Sequence, residues 1–260
     1  MPNKAPVMFI SHGSPMWAIE PGEAAAQLRA LQHQFSDVDA LLVISPHWMT
    51  RGIWITASQQ LETIHDFGGF PDVLYQLQYP AKGEPELATL LRTHLMAAGC
   101  KAELDYKRGL DHGAWVPLMH LVPDAEIPVI QLSLDTMLST WELIELGRVL
   151  SELRSQRVAI IATGGITHNL YDLRPDSSAP AAYVERFQSW VRHQVQERAL
   201  NALCQPDLQT DDYMRAHPSS EHYLPLLLAM GASCWHDSLK VLESPIQYSA
   251  LSMESYIWSA

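Results

Sequence analysis

Residues 40–48 read Ala40-Leu-Leu-Val-Ile-Ser-Pro-His-Trp48. An unbroken apolar run without alternation describes a strand buried on both faces, the pattern of a central strand in an α/β sheet. Pro46 has no backbone donor, so the ladder is expected to stop there and to deliver His47 just past the strand's carboxyl end. That edge is where open α/β sheets bind ligands. The same order of residues recurs twice. Residues 7–10 run into Ser11-His12-Gly-Ser-Pro15, and residues 158–162 run into Thr163-Gly-Gly-Ile-Thr-His168-Asn169. Three buried strands that each lead to a histidine predict one site.

Length and composition narrow what that site can serve. The chain has 260 residues, 47% of them hydrophobic, enough for one large α/β domain. No repeat, low-complexity tract or composition break marks a boundary, so residues 1–260 are expected to form a single catalytic domain. The expected fold is a central, largely parallel or mixed sheet flanked by helices, with a metal site at the strand carboxyl ends. Seventeen basic against 29 acidic residues give a net charge of -12, and no Lys/Arg cluster is present to neutralise phosphates. Nucleic acid and anionic membrane surfaces are therefore not expected partners. The amino terminus does not read as a signal peptide, and no apolar stretch approaches the ~18 residues of a membrane span. Cys100, Cys204 and Cys234 are isolated and odd in number, which fits a reduced, cytoplasmic setting.

Around these strands the chain alternates. Residues 21–34 read as a helix, and 53–56 as a strand beside that of residues 40–45. Residues 84–98 form a helix with Pro85 in its first turn and Gly99 as its cap. Strands are expected at 101–105 and 127–132, with a loop opening a short helix through Leu121 between them. Ser139-Thr-Trp-Glu142 is a capping box that starts a helix with Leu143, Leu146, Leu150 and Leu153 on one face. Residues 171–182 read as loop, 182–200 as helix, 201–220 as irregular and 221–230 as a short helix. Two more strands are expected at 240–242 and 248–253. Residues 58–83 differ in kind: Thr63-Ile-His-Asp-Phe-Gly-Gly-Phe-Pro71 cannot be regular structure, and long connections of this sort often bind ligands.

Twelve histidines need sorting. His33, His94, His193 and His236 are expected to face solvent, and His120 and His217 to be structural. His12, His47, His65, His112, His168 and His222 lie on loops or at strand ends. Three imidazoles with open positions make a catalytic metal site rather than a closed structural one. His12 and His47 follow successive parallel strands, and adjacent strands lie roughly 5 Å apart, close enough for the two histidines to share one ion. His222, at a helix start, is the third candidate, and Glu221 is the carboxylate alternative. No dinucleotide fingerprint, P-loop, nucleophile elbow or HExxH is present, and Ser14 reads as a turn residue.

At these residues the chain resembles the class III extradiol ring-cleavage dioxygenases, in the branch that acts on DOPA. The resemblance rests on His12-Gly-Ser-Pro, Ser45-Pro-His-Trp, His65-Asp-Phe-Gly-Gly-Phe-Pro, Asp111-His-Gly-Ala-Trp, Thr167-His-Asn-Leu and Glu221-His-Tyr-Leu-Pro-Leu. The six motifs stand in the family's order across nearly the whole chain. The resemblance implies cleavage of a small catechol by O2 at a mononuclear non-haem metal, giving a ring-opened semialdehyde. It implies Fe(II) for activity, with Zn(II) able to occupy the same ligands. Carried over by motif, His12, His47 and His222 are metal ligands, His168 is an acid/base histidine beside the ion, and His112 stands near the oxygen site. His65, Phe67 and Phe70 belong to the substrate-side loop. For a DOPA carboxylate, Arg51 and Arg174 are candidate cations. The rival readings are a zinc-dependent hydrolase on the same three histidines and a non-catalytic metal- or phenol-binding protein.

Overall fold

The structure, a computed structural model, describes residues 4–175 and 179–260. The expected loop at 171–182 therefore includes 176–178, which lie outside the described residues. The strands are β1 (Val7–Ser11), β2 (Ala40–Thr50), β3 (Ile53–Thr56), β4 (Ala102–Asp105), β5 (Val129–Asp135), β6 (Val158–Gly164), β7 (Ser238–Leu242), β8 (Ile246–Gln247), β9 (Leu251–Ser252) and β10 (Ser255–Ser259). The helices are α1 (Gly22–Arg29), α2 (Pro85–Ala97), α3 (His112–Leu121), α4 (Thr140–Leu150), α5 (Ala182–Gln196), α6 (Leu200–Cys204), α7 (Pro206–Gln209), α8 (Tyr213–Ala216) and α9 (Leu224–Ala232).

Eight strands form one mixed sheet in the order β4-β3-β5-β2-β6-β1-β10-β7. The four in the middle, β5, β2, β6 and β1, are mutually parallel, so their carboxyl ends share one edge. The outer pairings β3–β5, β1–β10 and β10–β7 are antiparallel. Alternation along each strand splits the core into two layers. Val7, Phe9, Leu42, Ile44 and Ile160 face α2, α4, α5 and α9, whereas Met8, Ile10, Leu41, Val43 and Ile161 face α1 and α3. Both faces being covered is what a continuous apolar run requires, and it makes this one α/β domain. The capping box forms as expected: the Ser139 side chain accepts from the Glu142 N–H, and Glu142 accepts from the Ser139 N–H at 2.8 Å.

Several expectations need correction. Pro46 does not end β2, which continues to Thr50. The register against β5 jumps instead, with Ile44 opposite Leu132 but Met49 opposite Leu134. Five residues of β2 thus run against two of β5, and the excess bulges outward around Pro46 and His47. A proline is tolerated there because a bulge needs no ladder donor. The strands before His12 and His47 are not neighbours either, since β6 lies between β1 and β2. The strand at 53–56 pairs with β4 and β5 rather than with β2. The carboxyl-terminal β10 pairs with β1 across 251 positions of sequence, Val7 opposite Trp258, and no local pattern announced it. The stretch from residue 201 is not wholly irregular, as α6, α7 and α8 occupy much of it. Among the described residues no helix is long and apolar enough to cross a membrane.

Candidate metal centre

The carboxyl edge of the parallel strands gathers five histidines. His12 stands immediately after β1, its N–H bound to the Gly164 carbonyl at the end of β6. His47 sits on the β2 bulge and turns its Nε2 to within 3.2 Å of the Nε2 of His12. The bulge therefore does what strand adjacency was expected to do, carrying the His47 ring across the width of β6. His222 enters on the turn before α9, where the Tyr223 N–H donates to the Ser220 carbonyl and the His222 carbonyl accepts from Gly165. One donor atom each from His12, His47 and His222 lie within 4.8 Å of one another.

Two glycines permit this convergence. A Cβ on Gly113 would lie 2.8 Å from His47 Cδ2 and closer still to Ser45 Oγ. A Cβ on Gly164 would overlap the His222 carbonyl oxygen. Any side chain at either position would push a histidine out of place.

Carboxylates behind the rings set their tautomers. His222 Nδ1 donates to Glu221 Oε1 at 3.1 Å, and the same oxygen accepts from Ser219 Oγ at 2.9 Å. Asp66 Oδ1 accepts from the backbone and Nδ1 of His112 at 2.9 and 3.0 Å, and its Oδ2 lies 3.5 Å from His47 Nδ1. With Nδ1 committed to a carboxylate, Nε2 is left as the lone-pair nitrogen, the arrangement that orients metal-binding histidines. Beneath them Asp111, fully buried, accepts from Ser45 Oγ and Gln131 Nε2 at 2.6 Å each and from Arg108 and the Ala114 N–H at 3.2 Å. That carboxylate ties the β2 bulge, β5 and the start of α3 into one unit. A buried charge with four donors is stable where an unpaired one would not be.

Burial first, then neighbouring imidazoles, pushes His12 and His222 well below the ordinary histidine range. The same causes bring His47 to about 4. Burial also brings His168 to about 4 despite the opposing charge of Glu221. Burial alone would raise the Asp66 carboxyl, but the hydrogen bonds and charge of His112 prevail and hold it at about 2. The rings are thus neutral at pH 7 and have no proton to lose before binding an ion. His222 Nε2 is a buried nitrogen without a hydrogen-bond partner. A deprotonated, unpartnered nitrogen beside two others at ligand spacing is what an ion of the zinc and iron kind takes up, so the residues fit a metal.

His168, on the loop after β6, stacks on His222 with ring centres 3.4 Å apart. His112 opens α3 with its ring centre 4.0 Å from that of His47. In front of them lies a half-open cavity of about 450 Å³, walled by His47, His112 and His168 and by apolar side chains including Phe67 and Phe70. His65 stands behind this wall, donating Nε2 to the Leu77 carbonyl at 3.0 Å, its ring against Phe67 and Trp115. Arg51 and Arg174 are exposed and line no part of the cavity. His120 and His217 are structural as expected, each donating to a backbone carbonyl, and His94 does likewise toward Val149 instead of facing solvent freely. Asp66, Asp111 and the pairing role of Glu221 went unassigned in the sequence, although each adjoins a histidine of a quoted motif.

Residues 6–257 match the model of the catalytic LigB subunit of aromatic ring-opening dioxygenase. The chain belongs to the LigB family. The family member 4,5-DOPA dioxygenase extradiol of Beta vulgaris is 36% identical over 252 residues, 95% of this chain and 94% of that one. The protein of the same name in Escherichia coli (strain K12) is 34% identical over 261 residues, 97% and 94% of the two chains. A crystal structure of an uncharacterized protein from Escherichia coli K12 superposes with a TM-score of 0.81 at 29% identity, covering 98% of this chain and 99% of that one. LigB dioxygenases are metal-dependent, and among the described residues the histidine cluster at the strand edge is a place where a metal can be held.

Proposed function

We propose that this chain is an extradiol dioxygenase that opens the ring of a small catechol with O2, giving a ring-opened semialdehyde, at Fe(II) held by His12, His47 and His222. One observation carries the reading: three neutral imidazoles converge beside an aromatic-roofed cavity in a chain of the LigB family. Glu221 is assigned as the partner of His222 rather than as a ligand, because its Oε1 already accepts from His222 and Ser219. Zn(II) suits the same donors but not the redox step. The three cysteines are free, which supports a reducing cytoplasmic setting.

When bound, Fe(II) orients the diol and O2 and provides the electron path between them. The protein manages protons and water. His168 is neutral at pH 7, so it accepts a proton from a catechol hydroxyl, and the nearby Glu221 charge stabilises the cation that results. Once protonated, His168 serves as the acid for ring rearrangement. His112, with Nδ1–H committed to Asp66, presents Nε2 as an acceptor that holds a hydroxyl or, once protonated, donates to oxygen. Phe67 and Phe70 cover the planar ring and keep water from it. His65 sets the pose of Phe67 from behind.

The test is anaerobic loading with Fe(II), then 18O2 and a 4-substituted catechol. The yellow product is expected to carry both atoms of one O2. A product labelled only from water, or turnover without O2, belongs to a zinc hydrolase and overturns the reading.

A further inference from the structure

The cavity in front of the histidines lacks what an amino-acid substrate needs. Among the described residues that line it, none carries an Asp, Glu, Lys or Arg side chain. Pro15, Met16, Phe67, Phe70, Leu170 and Leu173 supply much of its apolar lining. The charged groups nearest the histidines are engaged elsewhere. Asp66 is taken by His112 and His47, and Glu221 by His222 and Ser219. Arg108 donates to Asp111 and to the His47 carbonyl.

A carboxylate held inside these walls would lose water and gain no Lys or Arg of the lining in exchange, since the exposed Arg174 after Leu173 stands outside it, whereas an alkyl or aryl group gains from leaving water. The chain's net charge of -12 further disfavours an anion. Leu170 and Leu173 are 57% and 41% exposed, so they mark where the cavity meets solvent.

We infer that this site selects catechols bearing an uncharged, apolar substituent over catechols bearing a carboxylate or an amino-acid head group. The inference rests on the extradiol reading and departs from the substrate for which the plant and bacterial relatives are named. Leu170 and Leu173 are its specificity-determining residues.

The experiment compares 4-propylcatechol with 3-(3,4-dihydroxyphenyl)propionate, matched in chain length, and with DOPA. Dissociation constants are measured by calorimetry on Zn(II)-loaded protein, and kcat/KM by oxygen uptake on Fe(II)-loaded protein. A preference of tenfold or more for propylcatechol is expected in both. Equal or tighter binding of the propionate overturns the inference. Leu173→Arg is expected to narrow or invert the ratio, chiefly by strengthening binding of the propionate, and an unmoved ratio overturns the assignment of that residue. If no catechol consumes oxygen, the extradiol reading fails, while the dissociation constants still decide selectivity.

Discussion

The two walls of the cavity are built on opposite plans. The histidine wall grows largely from strand ends, His47 on the β2 bulge and His168 after β6, with His112 opening α3 and His12, after β1, beside them. Asp66, Asp111 and Glu221 hold it in place through charge-assisted hydrogen bonds. The apolar wall comes from connections, the turn at Pro15 and Met16, the stretch with Phe67 and Phe70, and the segment with Leu170 and Leu173. One wall must keep donor atoms within tenths of an ångström, so it uses the sheet and a buried polar network. The other needs only to exclude water and admit a ring, so loops suffice.

The difference predicts how each wall fails. His47→Ala removes one of the three proposed metal ligands and should abolish metal retention, with activity down by ~10³-fold or more. Metal analysis after gel filtration checks this; a variant that keeps one ion per chain and its activity would remove His47 from the ligand set. His168→Ala should retain the metal while kcat falls by about 10² to 10⁴-fold, the usual share of general acid–base catalysis. Loss of the metal in that variant would make His168 a ligand instead.

Of the two walls, acid should act on the histidine one, and the buried His217, also lowered to about 4, adds to the same slope. In the metal-free protein His47 and His168 have folded-state pKa values of about 4, lowered chiefly by burial from an ordinary 6.5. Between those limits the unfolded chain binds protons that the folded chain refuses. Stability from these groups is full above 6.5 and falls as the pH drops toward 4, by up to ~1.4 kcal/mol per pH unit for each histidine. Urea titrations at pH 7 and pH 5 measure it, and bound metal should flatten the slope near pH 6. A pH-independent midpoint would mean that the histidines are charged or exposed. The smallest effect belongs to the apolar wall. Phe70→Ala is expected to raise KM for a catechol several-fold with the metal retained, since the ring is partly exposed and lies on a loop. A loss of kcat as large as that of His168→Ala would join the two walls into one unit.

These plans also explain what the sequence disclosed. The strand at residues 40–45 was legible because burial on both faces leaves a local apolar run, and α4 because its capping box and leucine face are local signals. The histidine motifs were legible as a resemblance that spans the chain. The order of the sheet was not, because the insertion of β6 between β1 and β2 and the pairing of Val7 with Trp258 are non-local. Pro46 was misread for a related reason: a proline forbids a ladder hydrogen bond but not a bulge, and only the partner strand shows which applies. Asp66 adjoins His65 in sequence yet serves His112 and His47, a pairing made by the fold. The apolar flank at Leu170 and Leu173 carried no signal, since isolated leucines on loops are common.

The central claim is that one Fe(II), held by His12, His47 and His222, makes this chain consume O2 with a catechol. Oxygen uptake measured while metal-free protein is titrated anaerobically with Fe(II), then mixed with aerobic 4-propylcatechol, tests it most directly. The account predicts that uptake rises linearly to one iron per chain and stops there, with one O2 used per catechol opened. Uptake that stays at zero while one iron is bound would contradict it.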